Sequence, residues 1–403
     1  MEQVLNQLPK GWINVQVKDV TKSLSSGFAC NKSFETTDGY VHLRTHNIST
    51  SGCLNFDQII KVSHEKIDEK KSKIFKGEIL FNNTNSKELV GKTAYVDQDY
   101  DFAFSNHLTR IVPNDKVHSK FLVYWLVSLQ TSGYFNQICK KWIGQAGVNN
   151  TVLKGLSVPL PSKEEQKRIV EKLDALLTRI DTAIEHLQES VTLADALVKS
   201  SLSAMLTKQE HWDKVSLSDV CQITSKLCDP REEQYLDMFH IGGANIASFN
   251  GELIGLKTAR EEKLISGKFP FDNSMVLYSK IRPYLMKVAR PSFSGICSAD
   301  IYPLTPDNQK MSRDFLFYLL LSDLFTQYAI EGSSRAGMPK VNRNHLFNFE
   351  FYLPPIDEQK SICESLDALV EKTNEVSKEL TGKLSYLAGL KASILDSAFK
   401  GEL

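Results

Sequence analysis

The chain has 403 residues, 42% of them hydrophobic, with 48 basic and 48 acidic side chains and a formal net charge of zero. That length supports two to three domains, each able to bury a core without metals or disulfides, and the longest apolar run, Phe315 to Leu321, is far short of the roughly 20 residues a membrane-spanning helix needs. The seven cysteines (Cys30, Cys53, Cys139, Cys221, Cys228, Cys297, Cys363) lack the spacing of a zinc or redox pair, and the start MEQVLNQLPKGW is no secretory leader, so a soluble, cytoplasmic protein with reduced thiols is expected.

In chain order the pattern predicts a globular α/β unit over 1–160, a long helix over 161–207, a second α/β unit over 208–352 and a second long helix over 353–403, an α+β protein in all. Charge is distributed unevenly among them. Residues 1–160 carry 19 basic against 14 acidic side chains and 208–352 carry 17 of each, whereas the helical stretches carry 6 against 8 and 6 against 9. Within the neutral second unit, Asn273 to Ala299 holds Lys280, Arg282, Lys287 and Arg290 with no acid, a local basic patch suited to a phosphate backbone.

The chain also repeats itself. Trp12, Val15, Val17, Asp19 and Val20 match Trp212, Val215, Leu217, Asp219 and Val220, and Asn47-Ile48 matches Asn245-Ile246. VHSKFLVYWLVS from Val117 matches MSRDFLFYLLLS from Met311, and LPSKEEQKRIVEKLDALL from Leu160 lines up with LPPIDEQKSICESLDALV from Leu353, identical at 11 of 18 positions. Matching residues are mostly apolar and aromatic, as shared core packing requires. By contrast, FNNTNSKELVGKTAYV from Phe81 and LYSKIRPYLMKVA from Leu277 occupy equivalent places and share little, so one scaffold carries two different loops.

After Pro161 the first helical stretch has no proline or glycine, and Ile169, Leu173, Leu176, Ile180, Ile184, Leu187, Val191, Ala194, Val198, Leu202 and Met205 step by three and four, the stripe of a coiled coil. Ser162 and Glu165 form a capping box at its start. Ile362, Leu366, Leu369, Val376, Leu380, Leu384, Leu387, Ile394 and Ala398 continue the pattern in the second helix despite Gly382 and Gly389. The two helices can pair in either direction; an antiparallel coiled coil is the arrangement expected, because it relates the halves by a pseudo-twofold axis and suits recognition of two half-sites at a fixed gap.

The duplicated LP-x-x-x-EQK helix opening at Leu160 and Leu353, together with Gly77 to Phe81, Tyr278 to Leu285 and Arg335 to Lys340, resembles the specificity subunits of type I restriction-modification systems over essentially the whole chain. The resemblance implies two target-recognition domains, each reading a few base pairs of a bipartite, asymmetric double-stranded DNA target, and a paired-helix spacer that docks two methyltransferase subunits beside restriction/translocase subunits. It implies no catalytic centre and no cofactor in this chain, with S-adenosylmethionine, ATP and magnesium used by the partners.

Chemistry ranks the candidates for DNA contact within that frame. In the first unit they are the amide-rich loop Asn82, Asn83, Thr84 and Asn85, with Gln145, Asn149 and Asn150 before the helix. In the second they are Lys280, Arg282 and Tyr284 on a loop stiffened by Pro283, then Ser334, Arg335, Lys340, Asn342 and Arg343. Lys280 is expected on a phosphate and Arg282 on a base edge, since a guanidinium fork matches two acceptors. Other motifs fail. Gly91-Lys92-Thr93 runs into a strand rather than a helix, and His42 and His46, in an alternating stretch, read as loop or surface histidines rather than metal ligands. The chain has no Asn-Pro-Pro-aromatic tetrapeptide and no Gly-rich methyl-donor turn, which counts against the alternative of a single-chain restriction or methylation enzyme. A coiled-coil scaffold whose globules bind protein is the other alternative.

Overall fold

The computed structural model describes residues 8–333 and 338–403. The chain folds as two compact units, Met1–Gln188 with Thr381–Leu403, and Glu189–Leu380. Each unit is closed by a strand pair that joins its beginning to the residues just before its helix: Ile13–Gln16 lies antiparallel to Ser157–Leu160 in the first, and Asp213–Ser216 to Glu350–Leu353 in the second.

The first unit is built on an antiparallel sheet in the order Thr21–Ser26, Leu108–Pro113, Ile79–Asn82, Thr93–Tyr95. The second repeats it as Cys221–Gln222, Ile301–Pro306, Val276–Ser279, Val288–Ala289. A smaller mixed sheet accompanies each, with one parallel pairing: Glu35–Leu43 beside Ala103–Phe104, and Phe239–Ile241 beside Gly295–Ser298. The central strand of the main sheet is apolar on both faces and fully buried. Phe81 on it meets Phe135 edge-on at 5.3 Å, and Tyr278 meets Phe325 edge-on at 5.2 Å in the second unit. A Cβ at Gly91 would sit 2.2 Å from the Phe135 ring, so the glycine of Gly91-Lys92-Thr93 admits an aromatic side chain, and Thr93 begins a strand.

Lys163–Met205 and Ile356–Phe399 are the two long helices, of 43 and 44 residues, each about 65 Å long at 1.5 Å per residue. In the first unit Ile169, Val170, Leu173 and Leu177 share a core with Leu395, Ala398 and Phe399. Lys391 pairs with Asp181 at 2.7 Å and Arg168 donates to the carbonyl of Leu403, so the helices run antiparallel there. In the second unit Leu202, near the end of the first helix, shares a core with Cys363 and Leu366, near the start of the second. The stripe is deepest at these ends: Ile169, Leu173 and Leu202 are buried, whereas Ile184, Leu187, Val191, Ala194 and Val198 between them are half-buried, and Leu177, off the expected stripe, is buried where Leu176 is only half-buried.

The glutamine of the duplicated EQK locks each helix onto its unit. Gln166 Oε1 accepts from the His118 amide at 2.6 Å while Nε2 donates to the carbonyls of Lys116 and Pro161 at 3.2 and 3.0 Å. Gln359 makes the same three bonds to Ser312, Lys310 and Pro354 at 2.8, 2.8 and 2.9 Å. Both side chains are buried, and each satisfies two backbone atoms in the turn before a core helix, Ser119–Thr131 or Arg313–Leu321, and one carbonyl, of Pro161 or Pro354, just before its own long helix. The capping box at Ser162 is only half made. Ser162 Oγ accepts from the Glu165 amide, but the Glu165 carboxylate turns to Arg168 at 2.7 Å, which holds its pKa below the usual range.

About two turns further along, each helix is clamped by an aspartate. Asp174 accepts from Tyr124 Oη and pairs with Lys120 at 2.7 Å. Asp367 accepts from Tyr318 Oη at 2.5 Å, but the residue at the place of Lys120 is Asp314, and Arg290 enters between the two acids and bonds both. Burial works against the Arg290 charge, yet its hydrogen bonds to Asp367 and Asp314 carry its pKa above the ordinary arginine value. Arg290 also lies over the Phe317 ring at 4.5 Å.

Candidate nucleic-acid interface

In both units the loop after the central strand meets the short segment that precedes a small Asn-capped helix. In the second unit the meeting is a backbone junction: Ile281 bridges Lys340, Arg282 N donates to Pro339 O at 2.9 Å and Val341 N to Lys280 O at 2.9 Å. Arg282, Tyr284, Lys340, Asn342 and Arg343 are exposed around it. Arg282 holds a left-handed backbone (φ 51) just before Pro283, a conformation costing on the order of 1–3 kcal/mol that surrounding contacts must enforce. Its guanidinium has no bonding partner among the described residues. Tyr302 underlies the patch, with Lys280 at 5.2 Å and Arg343 at 6.0 Å from its ring.

Lys280 differs from the expectation of a free phosphate contact. Its ammonium donates to Ala299 O at 2.6 Å, pairs with Asp300 at 3.4 Å, and its side chain is 12% exposed. Burial, with help from the neighbouring Lys340 charge, lowers its pKa. Lys340 shares Asp300 at 3.4 Å. Asn342 spends its side chain as a helix cap, accepting from His345 N at 2.8 Å. Ser334 and Arg335 lie outside the described residues. Of the four cations in the acid-free stretch, Arg290 is committed to the aspartate clamp and Lys287 donates to Gly243 O, which leaves Arg282 as the one without a partner among the described residues.

In the first unit the equivalent junction is a small sheet: Gln145–Gly147 pairs with Thr84–Asn85 on one side and Lys140–Trp142 on the other. The amide-rich loop is not a surface loop. Asn82 is fully buried and Asn83 nearly so; Asn83 Nδ2 donates to Asn106 O and to Thr109 Oγ1, both at 3.0 Å, and its Oδ1 accepts from Thr84 Oγ1 at 2.8 Å. Asn85 Oδ1 accepts from the Ser86 amide, Asn149 caps a helix by accepting from Val152 N, and Asn150 Oδ1 accepts from Thr109 Oγ1 at 2.9 Å. Asn82 and Asn83 are thus interior amides that organise the scaffold, Asn85 and Asn150 are half-buried, and Asn149 is exposed with its Oδ1 committed to the cap. Gln145 remains exposed, its Oε1 taking the Trp142 indole N–H at 3.1 Å.

Sequence reasoning passed over the hairpin tip beside Gln145, where Lys140, Lys141, Trp142, Ile143 and Gly144 are all exposed. Its signal was a Gly-containing two-residue turn inside the stretch Lys116 to Lys163, which contains no acidic residue. His42, read as a loop or surface histidine, is instead a buried strand residue. Its Nε2 lies 3.2 Å from Phe28 O and its Nδ1 accepts from Arg44 Nε at 2.9 Å, and burial followed by the Arg44 charge pushes its pKa down to about 4. His46 is exposed. Among the described residues no group of three or more His, Cys, Asp or Glu could hold a metal ion, and no helix is long and apolar enough to cross a membrane.

Two copies of one α/β unit, each tied to the opening of a long helix and each presenting its own junction surface, define a duplicated nucleic-acid-reading architecture. The type I restriction modification DNA specificity domain matches residues 9–193 and again 209–386, so the chain belongs to that family and its function is DNA sequence recognition. It is 29% identical over 360 residues to the type I restriction enzyme EcoDI specificity subunit of Escherichia coli, covering 80% of this chain and 78% of that one. It is 24% identical to the StySPI specificity subunit of Salmonella potsdam, over 98% and 90%. Its fold is similar to that of a chain from a study of complex assembly and conformational transition of the type I R-M system (TM-score 0.72, 20% identity, 99% and 100% covered). It also resembles the HsdS subunit from Thermoanaerobacter tengcongensis (TM-score 0.50, 20% identity, both chains fully covered).

Proposed function

We propose that each unit reads one half of a bipartite, asymmetric double-stranded DNA target, and that the chain, with no catalytic centre of its own, brings two methyltransferase subunits and the restriction/translocase subunits to it. S-adenosylmethionine, ATP and magnesium would then be used by those partners. One observation carries the reading: the internal locks at Gln166 and Gln359 are the same bond for bond, whereas, beyond the shared helix caps Asn149 and Asn342, the described residues of the exposed junctions present different side chains, Lys140, Lys141, Ile143 and Gln145 in one and Arg282, Tyr284, Lys340 and Arg343 in the other. A repeat that keeps its joints and changes its faces is what two separate specificities on one scaffold require. The exposed Leu193, Leu197 and Val376 of the helical segments offer apolar surface to a partner chain.

Mapping methylated adenines in a genome that carries the system tests the reading. The expected result is two short half-sites at a constant gap. Replacing residues 1–155 with the corresponding region of another family member should change one half-site only, and adding or removing whole helical turns within 178–200 and 371–393 should change the gap alone. A change in both half-sites on the first exchange overturns independent reading.

A further inference from the structure

The hairpin of the first unit places an isoleucine where nothing in the fold has use for it. Ile143 stands at the turn between Trp142 and Gln145, 103% exposed, and Gly144 (φ 74) closes the two-residue turn. Trp142 is a strut rather than a free ring. Its indole N–H is held by Gln145 Oε1 at 3.1 Å, and its ring lies so close over Gly147 that a Cβ there would come within 2.7 Å of it. The tip is therefore fixed in position before any ligand arrives, which spares the ordering cost of binding. Lys140 and Lys141 precede Trp142 on the same strand, exposed and without a carboxylate partner among the described residues.

Resting on the reading above, we propose that this hairpin enters the major groove of the half-site read by the first unit, that Ile143 packs against a thymine C5-methyl, and that Lys140 and Lys141 hold the flanking phosphates. The major groove is wide enough for a two-stranded ribbon, and the thymine methyl is the one apolar group on a base edge there. The surroundings are acid-free from Lys116 to Lys163, which favours a polyanion over a protein partner, whose interface cores are depleted in lysine. The hairpin is continuous with the Thr84–Asn85 junction, so insertion brings Gln145 to the same groove.

The test uses the assembled methyltransferase complex and duplexes bearing its mapped site, with each thymine replaced in turn by deoxyuridine, which removes only the methyl. Wild type should lose about threefold to tenfold in affinity at one position of the first half-site, the worth of a buried methyl. Ile143→Ser should lose a similar factor on the unmodified duplex and be indifferent to that replacement, since the two changes remove the same contact. Lys140→Gln and Lys141→Gln should each flatten the dependence of log affinity on log salt by about one unit. Trp142→Ala, which frees the tip, should weaken binding without altering which thymine matters. Ile143 is outside every core, so its variant keeps the wild-type melting temperature. The proposal falls if Ile143→Ser binds every duplex as wild type does, or loses affinity while responding to the same deoxyuridine. If wild type itself does not prefer the mapped site to random DNA, the reading of the whole chain falls with it.

Discussion

Replacing Gln359 should unlock the second unit from its helix, and the cost can be worked from three bonds. The side chain is fully buried, accepting from Ser312 N and donating to the carbonyls of Lys310 and Pro354, all within 2.9 Å. Leucine fills nearly the same volume, so Gln359→Leu leaves little cavity but strands one N–H and two carbonyls. An unsatisfied buried donor costs about 1–3 kcal/mol, and carbonyls with a second lone pair somewhat less, which sums to about 3–4 kcal/mol. Gln359→Glu separates polarity from shape. A protonated carboxyl can still accept from Ser312 and donate to one carbonyl, whereas the ionised form points charge at two carbonyl oxygens, so the folded state raises its pKa above the usual value of about 4.3. Its stability is then greatest below that value and is lost as pH rises through the folded pKa. Urea unfolding at pH 5 and pH 8 measures both effects, and hydrogen exchange localises them: protection should fall in Arg313–Leu321 and persist in Ser119–Thr131. A Gln359→Leu variant within 0.5 kcal/mol of wild type, a threshold of about the size of ordinary surface effects, or a Gln359→Glu variant indifferent to pH, would refute the reasoning.

Other outcomes follow from the same geometry. Arg290→Ala leaves Asp314 and Asp367 facing each other and should cost about 2–4 kcal/mol in urea unfolding; adding Asp314→Lys, which rebuilds the Lys120–Asp174 arrangement of the first unit, should recover at least part of the loss, and strict additivity would sink the compensation argument. His42 is held neutral with a pKa of about 4 against about 6.5 unfolded, so its contribution to the first unit is complete above pH 6.5 and is lost as pH falls toward 4. Acid titration of wild type against His42→Gln should show an extra loss of about 3 kcal/mol in that window for wild type alone. Arg282→Ala should cost about 1–3 kcal/mol on the matched duplex and relax one position of the second half-site if the guanidinium meets a guanine edge, whereas Lys280→Ala, which removes a strut to Ala299 and Asp300, should lower the melting temperature instead.

The helices and the duplication were legible because both write themselves in short-range pattern: a stripe at three and four residues, and eleven matching positions in a run of eighteen. The sheets were less so. Ile13 pairs with Leu160 and Asp213 with Leu353, partners too far apart in the chain for any local period to betray them. The amide run Asn82 to Asn85 misled because polar composition is the ordinary mark of a loop, and here the amides serve a buried bend in which Asn83 satisfies Asn106 and Thr109. The hairpin tip was missed for the opposite reason. Trp142 and Ile143 look like core residues, and only the placement of the strand pair shows Trp142 half exposed and Ile143 fully exposed.

Counting charges could not have separated the cations that face outward from those that hold the fold, and the duplicated clamp shows why. Between the two copies the tyrosine and the aspartate stay in register, Tyr124 with Asp174 and Tyr318 with Asp367, while the third member changes sign from Lys120 to Asp314. A second acid beside Asp367 is tolerable only with a cation between them, and Arg290 is drawn from the end of the acid-free stretch to supply it. The basic patch thereby loses a member to the scaffold, Lys280 and Lys287 turn to backbone carbonyls, and Arg282 is left in a strained backbone with its guanidinium outward. In the first unit Lys120 answers Asp174 directly, and Lys140 and Lys141 stand exposed on the hairpin without a carboxylate partner among the described residues. The two faces therefore differ both in what they present and in how much of their charge the fold has already claimed, so the same salt titration should find a steeper phosphate dependence in the half-site read by the first unit than in the half-site read by the second.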